Sequence, residues 1–218
     1  MDQFLADLTN NVITLFVVIN PIITIPFFQG ITASATEKQR HMIAKRACIV
    51  ALVLLLFFAF VGDWVLGVIG ITLHYIMIAG GLFILIFAVK DALGSDQNDT
   101  PRISETKSRG LTERAAEKLA VVPIGIPLLA GPGAIATVLI LNDSPLGVTT
   151  TVIAVILNSF IAWLLLRLSD KIVRVVGPSA LGVLGKVMDI LIAAIGIAFL
   201  LKGLNAAYGL SFVAGGQI

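Results

Sequence analysis

The chain has 218 residues, 58% hydrophobic and 13% charged, with a net charge of +2. A soluble domain carries about 25% charged residues; together with a mean hydropathy of +1.02, this identifies a polytopic membrane protein and argues against a soluble enzyme or a nucleic-acid binder. One cysteine, Cys48, excludes an internal disulfide and a thiolate cluster for zinc or iron–sulfur.

In chain order, the apolar runs predict six membrane helices. The first runs from Phe4 to about Gly30 and is interrupted at Asn20-Pro21. Its leader carries Asp2 and Asp7 and no basic residues, so it reads as a retained span rather than a signal peptide. A polar loop, Ile31 to Arg46, precedes the second helix, Ala47 to Val61, which ends at Gly62-Asp63-Trp64. Trp64 suits an interfacial belt. The third helix, Leu73 to Lys90, is followed by an Asp/Ser/Asn/Thr-rich linker, Asp91 to Lys118, whose last part could form a surface helix capped by Thr112. The fourth helix is Leu119 to Leu141, and Asn142-Asp143-Ser144-Pro145 is a turn. The fifth is Val148 to Leu168. A basic loop with Arg167, Lys171 and Arg174 and a Gly177-Pro178 break leads to the sixth, Leu181 to Leu204. The expected organisation is a three-helix unit at 1–90, a linker at 91–118 and a second three-helix unit at 119–218.

Two of these helices should not be continuous. Val122 to Leu141 carries Pro123, Pro127 and Pro132, the last flanked by Gly131 and Gly133. Proline removes a donor and clashes with the preceding turn. Backbone freed in hydrocarbon must be covered by protein or line a wet cavity. Asn20-Pro21 aligns with Gly131-Pro132 at an offset of 111 residues, and Phe87–Lys90 aligns with Phe199–Lys202 at 112. Small-residue patches, Ala79-Gly80-Gly81 and Ala193-Ala194 with Gly196, precede the second pair. The chain therefore reads as two copies of one unit, each opening with a broken helix. The plainer alternative is a proline-kinked packing helix in each place.

Charge sets an orientation. Of the 15 Lys and Arg, 14 fall on the face that carries the loops after helices one, three and five; the other is Lys202. The positive-inside rule puts both termini outside, in a multi-pass cell (inner or plasma) membrane protein whose second three-helix unit is inverted.

Asn20, Pro21 and Thr24 at the first break, Gly131, Pro132, Gly133 and Thr137 at the second, and Asn158 with Ser159 in helix five would line a small cavity with neutral polar groups and backbone ends. Helix N-termini favour a carboxylate, and carbonyl ends favour an ammonium, so the set suits a zwitterion. The competing reading is that Asn158, Ser159 and Thr137 bond across helices. Gly133→Ala is expected to act on binding rather than on stability. Asp189, well inside helix six, is either a coupling group such as a proton carrier or the static partner of Lys186 three residues before it. Catalytic triads, metal spacings, phosphate loops and a Walker motif are all missing from the sequence, so neither an enzyme nor a cofactor nor a bound metal is expected.

The runs Ile19–Phe28 and Val122–Thr137, with Ile78-Ala79-Gly80-Gly81-Leu82, closely resemble the MarC family of integral membrane proteins over nearly the whole chain. That resemblance implies six helices with both termini outside, and transport of small neutral amino acids such as glycine and alanine, coupled to protons. Met77 stands where many members have Arg, and Asp189 where Gly is usual, so Asp189 is not carried over as a family site. The expected activity is secondary transport by alternating access, with a small neutral amino acid, the bilayer and a coupling proton or sodium ion as partners. The alternative from another class is a non-transporting scaffold or assembly factor, for which residues 91–118 are the loop long enough to serve.

Overall fold

The computed structural model describes residues 2–33, 35–92, 124–125, 129–144 and 146–209. Every regular element among them is a helix: α1 (Asp2–Ile19), α2 (Pro21–Ile31), α3 (Glu37–Ile69), α4 (Leu73–Ala92), α5 (Pro132–Leu141), α6 (Gly147–Arg167), α7 (Ser169–Val176) and α8 (Pro178–Tyr208). The expected linker beyond Ala92, the surface helix at 111–118, the first part of the fourth span with Pro123 and Pro127, and the chain after Gly209 lie outside the described residues.

Five helices are long and apolar enough to cross a membrane: Gln3–Ile31 counted through its break, Glu37–Ile69, Leu73–Lys90, Gly147–Arg167 and Ser179–Tyr208. The sixth expected span is represented by α5, whose 10 residues reach about 15 Å, half a bilayer core.

Several boundaries differ from expectation. The polar loop of 31–46 is short, because α3 begins at Glu37. Thr36 accepts from Gln39 N at 3.4 Å and Gln39 Oε1 accepts from Thr36 N at 2.9 Å, a reciprocal capping box. At the other end α3 runs through Gly62-Asp63-Trp64 to Ile69 and stops at Gly70, whose φ of 75° only glycine adopts without strain. The basic loop after helix five is an amphipathic helix, α7, and α8 is longer than 181–204 at both ends.

The chain packs around α1, whose Leu15 is fully buried, and the small faces of α3 and α6, where Ala44, Ala47, Ala154 and Val155 are each sealed. The most extensive helix pair is α4 with α8. It closes on small residues: a Cβ on Gly81 would lie 2.6 Å from Gly196 O, and one on Gly196 2.8 Å from Gly81 O. Close backbone approach of this kind is what small residues supply in lipid, where apolar burial drives nothing. The same Gly196 faces Ile84, 112 positions earlier in the chain.

Candidate functional site

Proline dictates the local structure at both breaks. Pro21 has no N–H, so the carbonyl of Val17 has no donor four residues on and α1 cannot continue. Asn20 turns the chain at φ 46°, ψ 61°, the one non-glycine positive φ among the described residues. Asparagine tolerates this left-handed conformation better than other side chains. It then becomes the N-cap of α2, with Pro21 at the first helical position, and Oδ1 accepts from Ile23 N at 3.4 Å. Gly131-Pro132 repeats the arrangement: Gly131 is the N-cap of α5, extended at φ −68°, ψ 171°, and Pro132 opens the helix. The turn before it closes with a wide bond from Ala130 N to Gly125 O, 3.2 Å, the spacing of a π-bulge. Both aligned Xaa-Pro pairs thus start helices.

The two breaks are neighbours. A Cβ on Gly133 would sit 3.8 Å from Val18 Cγ1, two residues before Asn20, and 2.6 Å from Ile84 Cγ1. Ile19, Leu129, Ser159 and Ala162 share one void of about 10 Å3, room for one water at most. Asn20, Thr24, Thr137 and Asn158 are 4%, 1%, 0% and 1% exposed.

Their hydrogen bonds divide them. Thr24 Oγ1 donates to Asn20 O at 3.2 Å, and Thr137 Oγ1 donates to Gly133 O at 2.8 Å. Both hydroxyl protons are therefore used within their own helices. Asn158 Nδ2 donates to Val12 O at 3.1 Å and to Ala154 O at 2.9 Å, so this side chain ties α6 to α1, as the competing reading had it. Among the described residues its Oδ1 has no partner, and neither has Asn20 Nδ2. A buried amide group left without a partner costs about 1–3 kcal/mol, so each is a place where another molecule or another conformation would be stabilised.

Asp189 is 3% exposed. On α8 it lies between Gly185, whose added Cβ would be 3.3 Å from Ile23 Cγ1, and Ile192, clustered with Val17. Lys186, three residues before it on α8, is exposed, while Asp189 is buried.

Two polar features were missed. Asn11, 4% exposed, donates to Thr150 Oγ1 at 3.0 Å and Thr151 Oγ1 at 3.3 Å, a second bridge from α1 to α6. A lone Asn in an apolar helix was the available signal. At the end of the bundle where α3 begins, Asp170 of α7 accepts from Arg40 Nη1 and from Gln29 Nε2, each at 2.7 Å. Arg40 Nε also donates to Thr32 O at 3.1 Å. This latch joins α2 and α3 to α7 and puts the loops after α2 and α6 at one end. At the far end, α3, α5 and the α3–α4 turn border an open cleft of about 400 Å3.

A family model described as "MarC family integral membrane protein" matches residues 5–208. A UPF0056 membrane protein of Pyrococcus abyssi is 31% identical over 198 residues, covering 90% of this chain and 93% of its own. Similar proteins of Buchnera aphidicola (30%, covering 89% and 90%) and Escherichia coli (29%, covering 90% and 91%) carry the same description. No solved structure matches.

Proposed function

This chain belongs to the MarC family of integral membrane proteins, and from that premise we propose that it is a secondary transporter of small neutral amino acids, coupled to a proton or sodium ion. The observation that carries the reading is Asn20. A left-handed turn holds a buried amide whose Nδ2 has no partner among the described residues, close to the N-terminus of α5, and α8 carries a buried carboxylate, Asp189.

A zwitterion answers each of these features. Its carboxylate accepts from Asn20 Nδ2 and from the N–H groups of Gly133 and Ala134 in the first turn of α5, which no side chain caps. Its ammonium faces Asp189. Neutral side chains of glycine or alanine fit because Ile84, Val18 and Ile19 crowd the breaks. Pro21, Pro132 and Gly131 hold the two half-helices; Thr24, Thr137 and Asn158 brace them through the bonds already described. Asp189 couples transport by exchanging its charge partner between the ammonium and the driving cation.

The two-copy organisation is supported by the matched Asn20-Pro21 and Gly131-Pro132 caps, and by the contact of Ile84 with Gly196. Positions one repeat length apart touch where a twofold axis between copies would pass. The conformation then reads as one extreme of alternating access, latched at Arg40–Asp170 on the cytoplasmic side and open on the side of both termini. Counterflow tests this directly. Purified protein in liposomes preloaded with alanine should accumulate labelled alanine or glycine, and protein-free liposomes should not. Absence of counterflow for every small neutral amino acid, with protein shown to be folded, would leave the scaffold reading in its place.

A further inference from the structure

α7 connects two helices that are long and apolar enough to span. α6 ends at Arg167 and the span of α8 opens at Ser179, so Ser169–Val176 lies where the chain turns back at the membrane surface. Residues three and four apart share a helix face. By that spacing Ile172, Val175 and Val176 form one face of α7, and Lys171 and Arg174 share the opposite one with Asp170. The bundle takes one edge of this helix. Ser169 is buried and accepts from Gln29 Nε2 at 3.2 Å, and Asp170 is held by Arg40 and Gln29. Lys171, Arg174, Val175 and Val176 are left exposed, Val175 at 85%.

Charge points to the occupant. Asp170 is the one acid of α7, and it is spent on Arg40. Arg167, four residues before Lys171, lies over the Trp163 ring at 5.2 Å. Tryptophan at the end of a span is an anchor at the headgroups. Arg167, Lys171 and Arg174 therefore follow one another at helical spacing from that anchor onward. A basic face flanked by bare valines matches a layer of phosphate with acyl chains directly beneath it. An acidic peptide or a free phosphate ion would answer the charge and leave Val175 and Val176 in water.

We infer that α7 is an interfacial helix that binds anionic phospholipid headgroups through Lys171 and Arg174, with Val175 and Val176 among the upper acyl chains. The inference does not rest on the transport reading. A basic residue near an anionic bilayer surface is worth about fivefold in affinity, so the pair should favour anionic over zwitterionic lipid by about 10- to 30-fold.

The test uses the full-length chain in liposomes. Val175→Trp in a Trp64→Phe/Trp163→Phe background puts the single tryptophan on α7. Its fluorescence is read in phosphatidylcholine doped with phosphatidylglycerol brominated high on the acyl chains, or with phosphatidylcholine brominated in the same place. Thermal unfolding checks that each variant is folded. The anionic lipid should quench at about 10- to 30-fold lower mole fraction than the zwitterionic one. Lys171→Gln/Arg174→Gln should erase most of that difference, and high salt should shrink it. Lys202→Gln, an exposed cation toward the far end of α8, should change nothing. Equal quenching by the two lipids, or an unchanged preference in the double variant, would overturn the inference. So would quenching by neither lipid, which would put α7 outside the bilayer surface. Loss of the preference on adding inorganic phosphate at constant ionic strength would make this a phosphate site instead of a lipid surface.

Discussion

Gly133→Ala is the sharpest probe of the second break, and its effect differs from the sequence expectation of unchanged stability. The added Cβ would lie 2.6 Å from Ile84 Cγ1 and 3.5 Å from Cδ1. Ordinary contact begins near 3.4 Å, so one side must move by about 1 Å. Ile84 is 3% exposed and wedged among Val17, Ala88, Ile192 and Phe199, so it has nowhere to go. Overpacking of this sort costs about 1–3 kcal/mol. For a chain of this size that is roughly 2–12 °C in Tm. Ile84→Ala alone should also destabilise, by about 2–5 kcal/mol. The double variant should be less damaged than the sum of the two, with a coupling of about 1–3 kcal/mol, because removing Cγ1 makes room for the new methyl. Uptake should not follow stability. If substrate uses the first-turn N–H groups beside Gly133, the methyl blocks them in the double variant as well. Thermal unfolding and counterflow on the same four preparations decide the matter. Recovery of both stability and uptake in the double variant would show that Gly133 acts only by packing on Ile84.

Three further outcomes follow from the same geometry. Asn20→Gly keeps the left-handed turn without strain and loses a long cap bond of 3.4 Å, so Tm should hardly move, while alanine affinity should fall about 5- to 150-fold for the lost donor; unchanged affinity in a folded variant would remove Asn20 from the site. Arg40→Ala and Asp170→Ala should show a coupling energy of about 0.5–1 kcal/mol in a double-mutant cycle on unfolding, shrinking at high salt because the two side chains are 20% and 40% exposed; zero coupling at low salt would dismiss the latch. After Cys48→Ala, Ser144→Cys should react with an impermeant thiol reagent added to intact cells and Lys38→Cys only in inverted vesicles, and the reverse pattern would invert the topology.

Local chemistry made the breaks legible. Asn-Pro and Gly-Pro-Gly each put proline at the start of a helix, α2 and α5, and nothing in tertiary packing can restore the missing N–H. Helix ends were legible only where a cap was spelled out. Thr36-Glu37-Lys38-Gln39 has the capping-box spacing, yet its charge density read as loop. At Gly62-Asp63-Trp64 the polar pair read as a stop, but a helix in mid-course tolerates exposed Asp and Trp, and α3 continues to the glycine that can take a positive φ. The amphipathic α7 was hidden for the same reason. Its basic residues read as a loop, while its apolar face shows only once the spacing is read as helical.

Depth was easier to read than direction. Asp189 could be placed inside a span from hydropathy alone, and Lys186 three residues earlier looked like a ready partner. Which face of α8 is buried, however, is set by its glycines. Gly196 lets α8 lie against α4 and Gly185 lets it approach Ile23 of α2. Those contacts turn Asp189 inward and leave Lys186 outside. Asn→Ala at 20 would mix this effect with left-handed strain, of about 1–2 kcal/mol, which is why glycine is the cleaner replacement there. For Asp189 the cleaner replacement is Asn, which keeps shape and hydrogen bonding and removes only the charge. If Asp189 is the coupling group, Asp189→Asn should still exchange alanine across the membrane in counterflow but fail to concentrate it against a gradient driven by proton or sodium. Loss of exchange as well would assign Asp189 to substrate binding, and full concentrative uptake would remove it from the mechanism.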